Sequence, residues 1–467
     1  MGKYPSAATC AGPGAGYEAA KPGWPLNPRV MTPLRILFVV PYVPSPLRVR
    51  AYSLIKHLAA NGHGVSVLAL RRSTDDEQDA VALQPYCERV ETIRVPLRRS
   101  LWNCLRGAYS RLPLQALFYD TPRMHAQVSH ALRAGSGSNG RSGNGGRQHF
   151  DVLHVEHLRA VLFGLNVRGI PRVYDSVDCI SRLFEQTVRM AATPASRLRA
   201  FVDLERTRRF EAELAERFDR TLIASQRDKE ALQGLTRRRP HSAARDCSDA
   251  IRVLPGGVDV EHFKPTGTPR QPATLVFVGR MTYHANVSAV MHFAEAVLPR
   301  IWSVRPDVQF VIVGSEPSRE VRALARRYGG RVRVTGYVPD VRPYLAGATV
   351  SVSPLVYAAG IQNKVIQAMA MGTPVVTTAP GATALRARHG DHLLIADEAV
   401  EFADLVVRVL GDLDLQRRIG DGGRRYVETH HDWRQIVKEL ESVYRDVTWN
   451  GTAMPDKGEM VRRHVGS

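Results

Sequence analysis

The sequence predicts an α/β protein made of two doubly wound domains that face a central cleft. Short β-rich runs alternate with helical patterns along most of the chain, as parallel sheets covered by helices on both faces require. The runs fall into two series parted by a turn-rich stretch. At 467 residues, 44% of them apolar, the chain is too long for one compact core and long enough for two.

The first series is predicted at Arg35–Val40, Val65–Leu70, Val90–Val95, Val152–Val155, Arg172–Tyr174, Thr221–Ala224 and Ile251–Leu254. The second runs through Leu275–Val278, Val308–Val313, Val332–Thr335, Thr349–Ser353, Pro374–Thr378 and His392–Ile395. Between them, Pro255-Gly256-Gly257 and then Pro265, Gly267 and Pro269 can continue neither helix nor strand, so the hinge is expected there. This divides the chain into an N-terminal extension (1–32), a first domain (33–258), a second (259–430), a helix expected to cross back onto the first (431–448) and a tail (449–467). The extension has the prolines and glycines of an unstructured segment and lacks a signal peptide's apolar centre; Met31 is an alternative start. Positions 134–149, rich in Gly, Ser and Asn, read as a flexible insertion. The basic run Arg237–Arg239 reads as a loop.

Composition narrows the partners. The formal charge of +19 favours anions such as nucleotides or acidic lipid headgroups. The basic residues are dispersed without interleaved aromatic platforms, which argues against nucleic acid. Five scattered cysteines form neither a CxxC pair nor a zinc pattern, as expected of a reducing, cytoplasmic setting. No apolar run reaches the roughly 20 residues of a membrane-spanning helix.

Two segments carry most of the chemistry. Gly360-Ile361-Gln362-Asn363-Lys364-Val365-Ile366-Gln367 reads as a loop entering a short helix. Free amides at that helix start, its dipole and Lys364 together suit a phosphate. Lys364 and Gln367, three apart, share a face, while Ile366, Met369 and Ala370 make the apolar stripe that packs on the sheet. The run Leu275-Val-Phe-Val-Gly279-Arg280 is a buried strand whose final arginine falls where open parallel sheets bind ligands, beyond their carboxyl edge.

With these residues in view, VFVGR (276–280), VIVG (311–314), VTGYVPDV (334–341) and GIQNKVIQAMAMGTPVV (360–376) resemble glycosyltransferase family four. GIQNK, with YDSVDCIS (174–181) and PSPLRVRAYSLIKHLAANGH (44–63), resembles the subgroup of exopolysaccharide and exosortase loci. The resemblance implies the GT-B architecture of two Rossmann-like domains. It also implies retaining, metal-independent transfer of a hexose from a UDP- or GDP-sugar, a co-substrate and the only cofactor-like molecule needed. It places Arg280 and Lys364 on the diphosphate, Gln367 on the ribose, Gly336 and Tyr337 at the base, and Gly279, Gly360, Ile361, Gln362 and Asn363 around the donor. Tyr337 has packing as its alternative. The family's usual paired glutamates are replaced here by Ala359 and Gln367, so a catalytically impaired binding or scaffold protein is the alternative function.

On the acceptor side, Arg48 and Arg50 follow the first strand, and Glu156 and His157 end the fourth. Val177 stands where relatives present a histidine. Asp178, or else Asp175, is placed either to assist catalysis near the reacting carbon or to cap the helix starting near Ile180. Asp412-Leu-Asp414 has a metal-binding DxD form but reads as a helix start, and no metal site is assigned. The stretch Arg98–Arg111 sets Leu101, Trp102, Leu105 and Tyr109 among arginines. It reads either as a helix packed on the sheet or as one lying in an anionic membrane surface. The latter suits a glycan or lipid-linked acceptor and peripheral association with the inner membrane face.

Overall fold

The structure, a computed structural model, describes residues 32–73, 75–133, 149–190, 194–237, 249–358 and 360–452. The expectations for the N-terminal extension, the 134–149 insertion, Arg238 and Arg239, Ala359 and the tail fall wholly or almost wholly outside the described residues.

Among the described residues thirteen strands form two parallel sheets. The first contains β1 (Arg35–Val40), β2 (Gly64–Arg71), β3 (Arg89–Arg94), β4 (Val152–Glu156), β5 (Arg172–Val177), β6 (Arg220–Ile223) and β7 (Ile251–Val253), in the order β3-β2-β1-β4-β5-β6-β7. The second contains β8 (Gln271–Val278), β9 (Gln309–Val313), β10 (Val332–Val334), β11 (Ala348–Ser353), β12 (Val375–Thr377) and β13 (Leu394–Ile395), in the order β10-β9-β8-β11-β12-β13. Each strand lies where the apolar runs predicted it, with β5 and β8 longer than expected. Parallel strands covered on both faces carry continuous apolar runs because each face must be buried. β1, buried at every position after Arg35, is such a run. Its Phe38 and Val40 join one core while Leu37 and Val39 join the other.

Both sheets reverse their strand order once, between β1 and β4 and between β8 and β11. Connections from such neighbours leave in opposite directions and open a crevice beyond the carboxyl ends of the strands. The carboxyl ends of the strands therefore face the interdomain cleft described below.

The chain passes between the sheets twice, and the two passages pair. Val258 bridges Asp432 in parallel, the Val258 amide donates to the His431 carbonyl (2.8 Å), and the His431 ring bonds the Gly256 carbonyl (2.7 Å). The Trp433–Thr452 helix then places Trp433, Ile436, Val437, Leu440 and Tyr444 in the core of the first sheet, against Phe38, Leu54 and Ile55.

Candidate donor site in the interdomain cleft

A cavity of about 770 Å³ separates the two sheet domains. On the second domain Gly279, Arg280, Tyr337, Asn363 and Gln367 line it; on the first, the Val49–Ala60 helix turns Tyr52, Ser53, Lys56 and His57 towards it. Lys56 reaches across to Asp259 at 3.4 Å. Nothing in the sequence marked these four residues, since the apolar pattern of their helix reports only its buried side.

The second domain's wall is built from laced strand ends. The Gly279 amide donates to the Val313 carbonyl (3.0 Å), Gly314 to Gly336 (3.2 Å) and Met281 to Ser315 (3.0 Å). The Arg280 carbonyl accepts from the Asn286 amide side chain (2.8 Å), which fixes the turn, while the arginine is exposed and has no ion-pair partner among the described residues. Tyr337 is 75% exposed, so packing, its alternative role, does not account for it.

The Asn363–Ala370 helix buries Ile366, Met369 and Ala370. Lys364 does not line the cavity; it lies behind Asn363 and Gln367, over the Phe277 ring (5.7 Å), and donates to the Gln362 side-chain oxygen at 3.3 Å. Burial pushes its ammonium down to about 8, since taking the charge out of water is costly without an anion nearby. Ile361 packs beside Gly256 of the first passage.

A second locus joins the domains at Gly360. Its φ is +59°, and a Cβ there would stand 2.4 Å from the Asp178 Oδ1. Only glycine combines that backbone with that approach. Burial, reinforced by Asp228, pushes the Asp178 carboxyl up to about 6. The β5–β6 register slips between Asp175 and Val177, and Val177 takes a φ of +66°. His157 (φ 69°) and Glu316 (φ 53°) do the same just past β4 and β9. Side chains rarely adopt this region, and such strain gathers at functional sites.

The helix-cap reading needs correction. Neither Asp178 nor Asp175 caps the Ile180–Met190 helix: Glu211 accepts the Ile180 (2.6 Å) and Ser181 (3.1 Å) amides. Arg50 and Asp175, both named on the acceptor side, pair with each other. The Arg50 fork donates to both Asp175 oxygens (2.8 and 3.0 Å) and to the Leu254 (2.9 Å) and Pro255 (3.2 Å) carbonyls, and Asp175 is fully buried. Arg48 likewise bonds Asp76 (2.8 Å) and the Val43 carbonyl (3.0 Å). Glu156 is buried against the Tyr42 hydroxyl, and burial with Asp175 beside it pushes its carboxyl up to about 7. Burial holds the His157 imidazole down at about 3, hence neutral. These residues lie in the wall of the first domain and outside the cavity lining. Asp412 caps the Leu413–His430 helix through the Leu415 amide (2.8 Å).

The Leu97–Arg106 helix does not pack its apolar side chains on the sheet. Leu101, Trp102 and Leu105 are 53%, 59% and 69% exposed, and Tyr109 just beyond is 99% exposed. Asn103 pins the helix by donating to the Leu117 (3.0 Å) and Asp120 (2.8 Å) carbonyls. Among the described residues no helix is long and apolar enough to cross a membrane.

Solved structures share this fold. Sucrose-phosphate synthase from Thermosynechococcus elongatus superposes with a TM-score of 0.62 at 19% identity, covering 89% of this chain and 100% of that one. Anabaena HepE, solved with UDP-glucose, gives 0.61 at 16% identity, covering 88% and 100%. The fold is thus GT-B: two parallel-sheet Rossmann-like domains. Residues 272–412, which lie in the second domain, match the family profile of glycosyl transferases group 1. Phosphatidyl-myo-inositol mannosyltransferase of Mycobacterium tuberculosis is 32% identical over 216 residues, 44% of this chain and 56% of the relative. D-inositol 3-phosphate glycosyltransferase of Acidothermus cellulolyticus is 28% identical over 221 residues, 42% and 48%. The chain thus spans about half the length of the relatives it matches.

Proposed function

We propose that the protein transfers a hexose from a UDP- or GDP-sugar to a polysaccharide or lipid-linked acceptor at the inner membrane face, with retention and without a metal ion. The observation that carries this is the exposed Arg280 in a cavity shared with Tyr337, Asn363 and Gln367, with Lys364 charged and anion-free just behind. The diphosphate lies between Arg280 and the start of the Asn363–Ala370 helix, whose free amides and Lys364 take up the negative charge of the leaving group. The base stands against Gly336 and Tyr337, and the ribose against Gln367, whose amide oxygen accepts a hydroxyl bond without a carboxylate's strength. Gly279, Gly360, Ile361, Gln362 and Asn363 complete the donor surround.

Asp178, held against Gly360 at the domain junction, is the carboxyl group assigned to the reacting carbon. It orients the acceptor hydroxyl or stabilises a developing oxocarbenium ion. The acceptor attacks the face from which the diphosphate departs, and a donor phosphate oxygen receives its proton.

Support for a lipid-linked acceptor comes from the mannosyltransferase relative's name and from the exposed Leu101, Trp102 and Leu105 among arginines, a surface suited to an anionic membrane. The exopolysaccharide subgroup follows from GIQNK. A second reading, binding without turnover, rests on the uncharged Gln367 in the cavity. Screening the purified chain against nucleotide sugars, with and without EDTA, tests both. Transfer that survives EDTA and is lost in Arg280→Ala supports the first; binding without transfer, with activity gained in Gln367→Glu, supports the second. Absence of nucleotide binding refutes both.

A further inference from the structure

The second domain carries another pocket, of about 400 Å³, lined by Arg388, His392, Arg418, Arg425, Tyr426 and His430, with Asp391 beside them. His392 lies two residues before β13, so the pocket opens near the amino ends of the strands, whereas the cleft lies beyond their carboxyl ends. No residue lines both.

The pocket is built by a helix seated on a loop. Arg418, Gly422 and Arg425 fall at intervals of four and three in the Leu413–His430 helix and so share one face. A Cβ on Gly422 would lie 2.0 Å from the Asp391 carbonyl oxygen, and one on Gly423 2.9 Å from that of His392. Each interior helix glycine costs about 1 kcal/mol relative to alanine. Here it lets the helix rest directly on the loop, which brings Arg418 and Arg425 to Arg388 and His392. Tyr426 forms an aromatic floor, its ring 4.9 Å from that of His392 and 4.6 Å from that of His430.

The charge in this pocket is unbalanced. Arg388 pairs with Asp391 at 2.9 Å, but Arg418 and Arg425 have no carboxylate partner among the described residues. Burial opposes protonation of His392, and Arg388, His430 and Arg425 oppose it further against the favourable pull of Asp391. Two guanidinium forks without carboxylate partners, both exposed on the wall of one open pocket, match the oxygens of a phosphoryl group.

We propose that this pocket is a binding site for a phosphate-bearing anion, gripped by Arg418 and Arg425 and separate from the transferase cleft. It does not depend on the transferase reading. Its source is a soluble phosphate compound or a lipid headgroup, and one experiment separates them. Full-length protein is titrated with inorganic phosphate while the His392 and His430 ring resonances are followed, and is also pelleted with phosphatidylglycerol vesicles. Arg418→Ala/Arg425→Ala is compared with Arg322→Ala/Arg326→Ala, which removes equal charge from an exposed helix remote from the pocket.

Phosphate should move both rings in the wild type and control, and at least tenfold more should be needed in Arg418→Ala/Arg425→Ala. Unchanged pelleting of that variant then assigns a soluble ligand, whereas weakened pelleting assigns a headgroup. Rings that phosphate leaves unmoved, with equal pelleting of all three proteins, overturn the proposal. So does a control that loses as much as the pocket variant.

Discussion

Replacing Lys364 with methionine should stabilise the fold and weaken its hold on a nucleoside diphosphate. Burial brings the ammonium from its usual 10.5 to about 8. At ~1.4 kcal/mol per pH unit, the buried charge costs the empty protein about 3 kcal/mol at pH 7. Methionine keeps the length and the packing over Phe277 without that cost, so a gain of about 1–3 kcal/mol is expected after relaxation. The sign has a pH signature. Below about 8 lysine is charged in both folded and unfolded chains, and the wild type carries the full cost. Between about 8 and 10.5 the folded chain has released the proton that the unfolded chain retains, so wild-type stability recovers and the advantage of Lys364→Met fades.

Binding should move oppositely. Loss of a charge-assisted bond worth about 1.5–3 kcal/mol weakens UDP roughly 10- to 100-fold. In the wild type, affinity should fall up to about tenfold per pH unit above 8, as binding must restore the proton. Urea unfolding at pH 7 and pH 10 and calorimetry with UDP measure both. A variant less stable at pH 7, or one binding UDP as tightly as the wild type, would refute the reasoning.

Gly360→Ala forces a Cβ to 2.4 Å from the Asp178 carboxylate at a φ of +59°; transfer should drop at least about tenfold in a steady-state assay, with a destabilisation of only about 1–2 kcal/mol by denaturation. Arg50→Ala strands the buried Asp175 and should cost about 3–5 kcal/mol in urea unfolding, whereas Arg48→Ala, with a side chain 39% exposed, should cost far less. Trp102→Ala/Leu105→Ala removes exposed side chains, so Tm should hardly change while pelleting with anionic vesicles falls severalfold.

The fold was legible because parallel sheets write themselves as uninterrupted apolar runs, and every run here became a strand. The second domain's side of the cavity was nearly as legible: Gly279, Arg280 and Asn363 sit at strand and helix ends and Gln367 one turn further on, which local pattern locates. The first domain's side was not. Arg50 and Asp175 are 125 residues apart, and no local pattern says that they neutralise each other. The Glu211 cap on Ile180, 31 residues away, was hidden for the same reason. The left-handed backbone of Val177 was likewise not written in the local pattern. The exposure of Trp102 was equally invisible, since an amphipathic helix is written alike whether its apolar side meets a sheet or a membrane.

The Trp433–Thr452 helix has a consequence for biogenesis. The first domain's core includes Trp433, Ile436, Leu440 and Tyr444, and the buried His154 at its centre bonds the Tyr444 hydroxyl at 2.8 Å. Most domains can fold as they leave the ribosome, N-terminal first. This one must wait, with Phe38, Leu54 and Ile55 partly unsheltered, until the whole second domain and the helix beyond it have been made. The domain begun first is the last to be finished, and the nascent chain has reason to need a chaperone in that interval.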